Sequence, residues 1–226
     1  MIFSFSQPIE NAPPSIPLTD ELHFHLNIYS SGEIFIAGRV STFVSDDCYI
    51  SKHDQEGNFL WSKIIGKANF DYFQKTIESV NGIICGGNTN TGGQSSQDFY
   101  LADFNQNGDT IWTKILGGSK YEKLMDMIQD GNNILMGGYS NSFGSASNND
   151  ILLINSDSSG NPLWAKSLEA GGEDILHSIK KHSDAGFIIA GSTTSFGTGL
   201  KDIFALKIDS AGNFEWMKCF GGTEDE

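Results

Sequence analysis

The sequence predicts an all-β protein built from four tandem copies of one four-stranded unit. Two observations carry this: a repeat of about 51 residues marked by tryptophan, and short apolar runs of strand length within each repeat. The tryptophans are Trp61, Trp112, Trp164 and Trp216, spaced 51, 52 and 52 residues apart. Other residues recur in phase with them. Four positions before each Trp stands Gly57, Gly108, Gly160 or Gly212, followed by Asn58, Asp109, Asn161 or Asn213. Two positions after each Trp stands Lys63, Lys114, Lys166 or Lys218, and fourteen before it Asp47, Asp98, Asp150 or Asp202. Agreement at this many positions in four units marks one repeated structural unit.

Each unit divides into four runs. In the last they are "DILHSIKKH", "GFIIAGST", "DIFALKID" and "NFEWMKCF", rich in Ile, Phe, Leu and Trp and separated by Gly, Ser, Asn and Asp. All are too short for ordinary helices and are read as strands. The third run is apolar at consecutive positions, Ile203 to Leu206 and likewise Ile151 to Ile154, so this strand is expected to be covered on both faces. Between the third and fourth runs lies a tight hairpin turn such as "DSAGN". Gly212 supplies the positive φ of a type I turn with a following bulge, and Asp209 holds the turn through backbone N–H groups ahead of it. Four strands in about 50 residues is the signature of a β-propeller blade. The predicted blades are about 21–67, 68–118, 119–172 and 173–222, a repeat domain over 21–226. Residues 1–20, with Pro8, Pro13, Pro14 and Pro17, read as an N-terminal extension. "GGTEDE" at the end resembles "GGEDIL" at 171–176, so the array is expected to be an arc of a larger propeller or a compact four-bladed ring.

The hairpin D-x-x-G-N-x-x-W resembles the tryptophan-docking repeat of quinoprotein-like (PQQ-type) propellers. The stretch "AGFIIAGSTTSFGTGLKDIFALKIDSAGNFEWMKCFGG" is closer still to repeats of secreted bacterial and archaeal surface proteins. The resemblance spans about 21–222. It implies strands running from inner to outer in chain order, with each Trp on the outer strand docked against a neighbouring blade, and an extracellular or cell-surface setting. No charged n-region of a signal peptide precedes Arg39.

The formal net charge is −14 and Arg39 is the single arginine. Phosphate backbones and anionic membranes are disfavoured partners, and no apolar run has transmembrane length. Cys48, Cys85 and Cys219 lie in strand runs without a CxxC or a nearby His, which favours small core residues over a metal site. The resemblance to quinoproteins implies a PQQ site with calcium and often a vicinal cysteine pair, which this sequence lacks. A sialidase Asp-box is one residue shorter on each side of its glycine than "DSSGNPLW", and an arginine cluster is excluded. The turns "DQEGN", "DSSGN" and "DSAGN" are oxygen-rich, as calcium loops are, but turn stabilisation by Asp and Asn accounts for them. His23 and His25, two apart on a strand, are expected on one face with no third ligand nearby.

With a simple hairpin register, the repeated aspartate and lysine fall diagonally on one face. Asp47–Lys63, Asp98–Lys114, Asp150–Lys166 and Asp202–Lys218 are therefore expected as pairs. The loops between second and third strands, "RVSTFVSD", "NTNTGGQSSQ", "YSNSFGSASNN" and "STTSFGTGLK", vary most and should share one rim beside the Gly-Gly loops that close three of the units at 117–118, 171–172 and 221–222. Phe43, Phe143 and Phe196 are the phenylalanines of these loops and the candidate ligand contacts. These readings converge on a non-catalytic module that binds protein or glycan. The alternative is a piece of a propeller enzyme, an oxidoreductase or glycoside hydrolase, with its active site partly in other blades.

Overall fold

The computed structural model describes residues 20–41, 45–66, 70–90, 97–143, 148–197 and 200–224, with side chains in the first strand from His25 onward. Within them, sixteen strands and no helix form four antiparallel sheets, each from four consecutive strands in chain order. The first sheet holds β1 (Asp20–Ile28), β2 (Ile34–Ser41), β3 (Asp46–His53) and β4 (Phe59–Ile65). The second holds β5 (Asp71–Glu78), β6 (Gly82–Thr89), β7 (Asp98–Asn105) and β8 (Thr110–Leu116). The third holds β9 (Glu122–Asp130), β10 (Asn133–Ser140), β11 (Asp150–Asp157) and β12 (Pro162–Leu168), and the fourth β13 (Asp174–Lys181), β14 (Phe187–Thr193), β15 (Asp202–Ile208) and β16 (Phe214–Phe220). Part of the predicted extension, residues 1–19, lies outside the described residues.

The first strand of each sheet lies across the preceding sheet: β5 against β1 to β3, β9 against β5 to β7, and β13 against β9 to β11. Among the described residues no comparable packing joins the fourth sheet to the first. Three apolar cores result, one in each seam. Phe35 and Ile50 meet Phe73 and Phe104; Phe99 and Leu101 meet Leu124 and Met136; Leu135 and Leu153 meet Phe187, Phe204 and Leu206. A strand with a sheet on either side loses its polar face, which is why β6 reads "GIICGGNT" and is buried at every position. Cys48 and Cys85 are buried in the first core as small apolar residues, and Cys219 is half-buried.

The hairpins are as the repeat predicts. Gly57, Gly108, Gly160 and Gly212 have φ of 84°, 80°, 74° and 75°. In each turn the glycine N–H bonds the carbonyl three residues back, as from Gly160 to Asp157 at 3.0 Å. Asp157 Oδ1 accepts the N–H groups of Ser159 and Asn161, and Oδ2 accepts the Asn161 amide, at 2.9, 2.9 and 3.0 Å. The second unit exchanges the two side chains: Asn105 Oδ1 accepts the same two N–H groups, and its amide donates to Asp109 at 3.1 Å. The carboxylate oxygens are thus engaged in holding the turn.

Two expectations fail on register. A bulge follows each turn, between Lys207 and Ile208 in the fourth sheet, and shifts the pairing by one. Lys218 then lies opposite Ala205, an odd offset from Asp202, so the two residues point to opposite faces. Lys63 opposite Ile50, Lys114 opposite Leu101 and Lys166 opposite Leu153 repeat this, and the four intra-unit Asp–Lys pairs do not form. A second bulge breaks every first strand and falls between His23 and His25, whose backbone pairs with the adjacent residues Gly38 and Ala37, so the simple two-residue alternation expected there is broken. His25 instead bonds Thr76 of the next sheet, its Nδ1 accepting the Thr76 N–H at 3.2 Å.

The turn glycines differ in their surroundings. A Cβ at Gly160 would lie 2.9 Å from the Trp112 ring and 2.8 Å from the Lys114 stem, whereas one at Gly57 meets nothing within 4 Å. Both substitutions strain φ by about 1–2 kcal/mol. Only Gly160→Ala also displaces a packed ring, for roughly 1–3 kcal/mol more. Urea unfolding should therefore rank Gly160→Ala well below Gly57→Ala in stability.

Candidate functional site

Each seam has two ends. At the hairpin end, the Trp on the last strand of one sheet covers the turn glycine of the next. A Cβ on Gly108, Gly160 or Gly212 would stand 3.0, 2.9 or 2.7 Å from Trp61, Trp112 or Trp164. Trp61 Nε1–H donates to the Gln106 carbonyl at 3.0 Å. The lysine two residues on reaches the same turn: Lys114 Nζ donates to Asn161 Oδ1 at 3.0 Å and Lys166 Nζ to Asn213 Oδ1 at 2.8 Å. The repeated lysine thus serves the seam, across to the next unit rather than back to its own aspartate.

The opposite end is the rim. In the second, third and fourth sheets the first residue of the first strand is a buried acid bonded to hydroxyls at the end of the second strand. Asp71 accepts from Thr89, and Asp174 accepts from Thr193 and, at 2.7 Å, from Ser195. Glu122 accepts from Ser142, from Ser140 at 2.7 Å and from the Gly118 N–H at 2.7 Å. The repeated aspartate of the third strand comes up beside the acid of the next sheet. Asp98 and Glu122 converge on Gly117, where a Cβ would collide with the first and lie 2.6 Å from the second. Burial, then the hydrogen bond and charge of Glu122, raise Asp98 to about 6. Asp150 is also raised, by burial first and then by Asp174 and Glu169, against the Ala170 N–H that favours its charged form.

Clefts open on this rim. Between the first and second sheets a cleft of about 430 Å³ is walled by Ile64, Ile65, Ile115 and the Tyr100 ring, with Asp71, Thr89 and Thr113 among the polar groups at its sides. The Tyr100 ring stacks on Phe73 at 5.8 Å, and burial raises its hydroxyl pKa. Between the third and fourth sheets the corresponding cleft is about 110 Å³, and Phe196 lines it with Ala170, Asp174 and Met217. Phe143 stands 38 % exposed over Gly118 and Phe196 46 % exposed. The structure brings both to the predicted rim beside the Gly-Gly loops, whereas Phe43 lies outside the described residues.

The rim acids and Tyr100 escaped the sequence reading. Their signal was present: Asp20, Asp71, Glu122 and Asp174 recur every 51 or 52 residues, and Ser41, Thr89, Ser140 and Thr193 follow them. Among the described residues no group of three or more His, Cys, Asp or Glu is placed to hold a metal ion, and no helix is long and apolar enough to cross a membrane. Comparison with protein-family models and with curated proteins finds no match.

The acid pair makes stability depend on pH with a definite sign. Between the usual carboxylate range and about 6, the folded chain keeps a proton on Asp98 that the unfolded chain has released. The folded state then binds more protons, so this contribution is present at low pH and lost as pH rises through about 6. Asp54, Asp157 and Asp209 are lowered by their turn hydrogen bonds and act oppositely, losing their contribution below the usual carboxylate range. His25 and His177, lowered by burial, act in the opposite sense over the same range, so the Asp98 contribution is read as a difference between variants. Relative to the parent chain, Asp98→Asn, which keeps a donor toward Glu122, should gain in melting temperature on going from about pH 5 to about pH 7.5.

Proposed function

We propose that the chain is a non-catalytic module of β-propeller-type, quinoprotein-like repeats that binds a protein or glycan through its rim, within a secreted or surface protein. The observation that carries this reading is the cleft of about 430 Å³ between the first two sheets, where an apolar and aromatic wall meets hydroxyl and carboxylate groups. That combination suits a sugar ring or a polar peptide side chain, with an apolar face to cover and hydroxyls to bond. The engagement of Glu122 and Asp174 by serine and threonine hydroxyls supports a scaffolding role for the rim acids. Phe143 and Phe196 extend the same rim over the next two seams.

A glycan and peptide panel, read by tryptophan fluorescence or NMR shifts, tests this. Thr113→Trp, which fills the cleft, should weaken the ligand found by roughly tenfold or more, the scale of a lost pocket contact. Phe143→Ala and Phe196→Ala should weaken it only if the ligand spans several seams. Failure of Thr113→Trp and both Phe variants to change binding would place the ligand elsewhere. Quinone absorbance in the purified protein, with a calcium-dependent rise in melting temperature, would replace this reading by the oxidoreductase one.

A further inference from the structure

Among the described residues the seam contact is made three times, and each of its halves is left once without a partner. At the fourth sheet, Trp216 is 39 % exposed while Trp61, Trp112 and Trp164 are half-buried, and Lys218 is exposed while Lys63, Lys114 and Lys166 are not. Ile203 pairs with Phe220 and Lys207 with Trp216, so these residues share a face, and Ile203 and Phe220 stand exposed on it. This is the face that receives the following sheet in the three preceding cases.

At the first sheet the complementary half is bare. Gly57 is exposed where Gly108, Gly160 and Gly212 are buried, and its Cβ position is open. Asn58 donates its amide to Asp54 Oδ2 at 2.8 Å. Asn161 and Asn213 hold the same pose, donating to Asp157 and Asp209, and each presents Oδ1 to a lysine. Leu26 and Ile28 pair with Ile36 and Ile34 and stand exposed on the face turned away from the second sheet.

We propose that the chain associates head to tail with a second copy of itself. The open face of the fourth sheet receives the first sheet of the other copy, Trp216 covering its Gly57 and Lys218 Nζ donating to its Asn58 Oδ1. The warrant is continuity with an existing interface: the two unmatched surfaces are the two sides of a contact the chain already makes three times. A heterologous contact of this kind either closes a ring or propagates. Two four-sheet arcs make eight sheets, a number that closed propellers reach.

Light scattering across a concentration series tests this. The expected mass is a multiple of 24.6 kDa, falling toward 24.6 kDa on dilution. Trp216→Ala and Asn58→Arg, one at each end, should each weaken association by roughly thirtyfold or more, as for loss of a central aromatic anchor. Both lie at exposed positions, and a melting temperature near that of the parent chain confirms folding. A short bismaleimide should join Lys218→Cys chains to Asn58→Cys chains, in a Cys219→Ser background, only when the two are mixed. A monomer at every concentration overturns the proposal. So does association that Asn58→Arg leaves intact, which would mean the two fourth sheets meet face to face. Cross-linking within a single chain carrying both cysteines overturns it too, because the fourth sheet would then close on its own first sheet.

Discussion

One contact organises this protein: a tryptophan ring laid over a glycine in the hairpin turn of the next sheet. The ring needs a flat, side-chain-free surface, and the turn needs a residue at positive φ. Glycine meets both demands at one position, which is why Gly108, Gly160 and Gly212 sit under Trp61, Trp112 and Trp164. The lysine two residues on lies on the same strand face and reaches the same turn, so docking and hydrogen bonding fix one relative placement of neighbouring sheets. The apolar cores then fill the space this placement leaves.

The arrangement is one-dimensional in its energetics. Each core belongs to one pair of consecutive sheets, and side chains cross each seam to bond backbone groups. Tyr29 donates to the Ile77 carbonyl at 2.9 Å, Asn88 accepts the Leu124 N–H at 2.8 Å, and Asp126 accepts the Ile179 N–H at 2.7 Å. Stability in such an array is close to a sum over units and nearest-neighbour seams. The rim acids belong to the same scheme. They are buried at the seam, where hydroxyls offset the loss of water, and Asp98, brought up beside Glu122, keeps its proton up to about pH 6.

The period, the strands and the hairpins were legible because each depends on residues close in sequence: a glycine for φ, an aspartate for the turn, a tryptophan at fixed distance. What was not legible turned on single-residue shifts. The bulge at Lys207 and Ile208 moves Lys218 from one face of the pairing with β15 to the other, and no apolar alternation marks it because β15 is largely buried. The bulge in the first strands has a trace in Gly87, Gly138 and Gly191, whose Cβ atoms would collide with the carbonyls of Tyr72, Lys123 and Ile175. Phe143 and Phe196 stood out in the sequence because loop composition alone set them apart. Tyr100 in the cleft looked like any other strand aromatic, since only the gap between two sheets makes it part of a site.

The exchanged turn of the second unit has a consequence for how such repeats diverge. Asn105 and Asp109 carry the amide and the carboxylate in reverse order, yet the turn keeps its backbone bonds and its single negative charge. Replacing the asparagine alone by aspartate would set two carboxylates against each other across the turn. Two asparagines would not clash, because an amide turns either its donor or its acceptor toward the other. The exchange of charge between the two positions therefore has an open route through an Asn–Asn turn, and the backbone bonds of the hairpin are held along it.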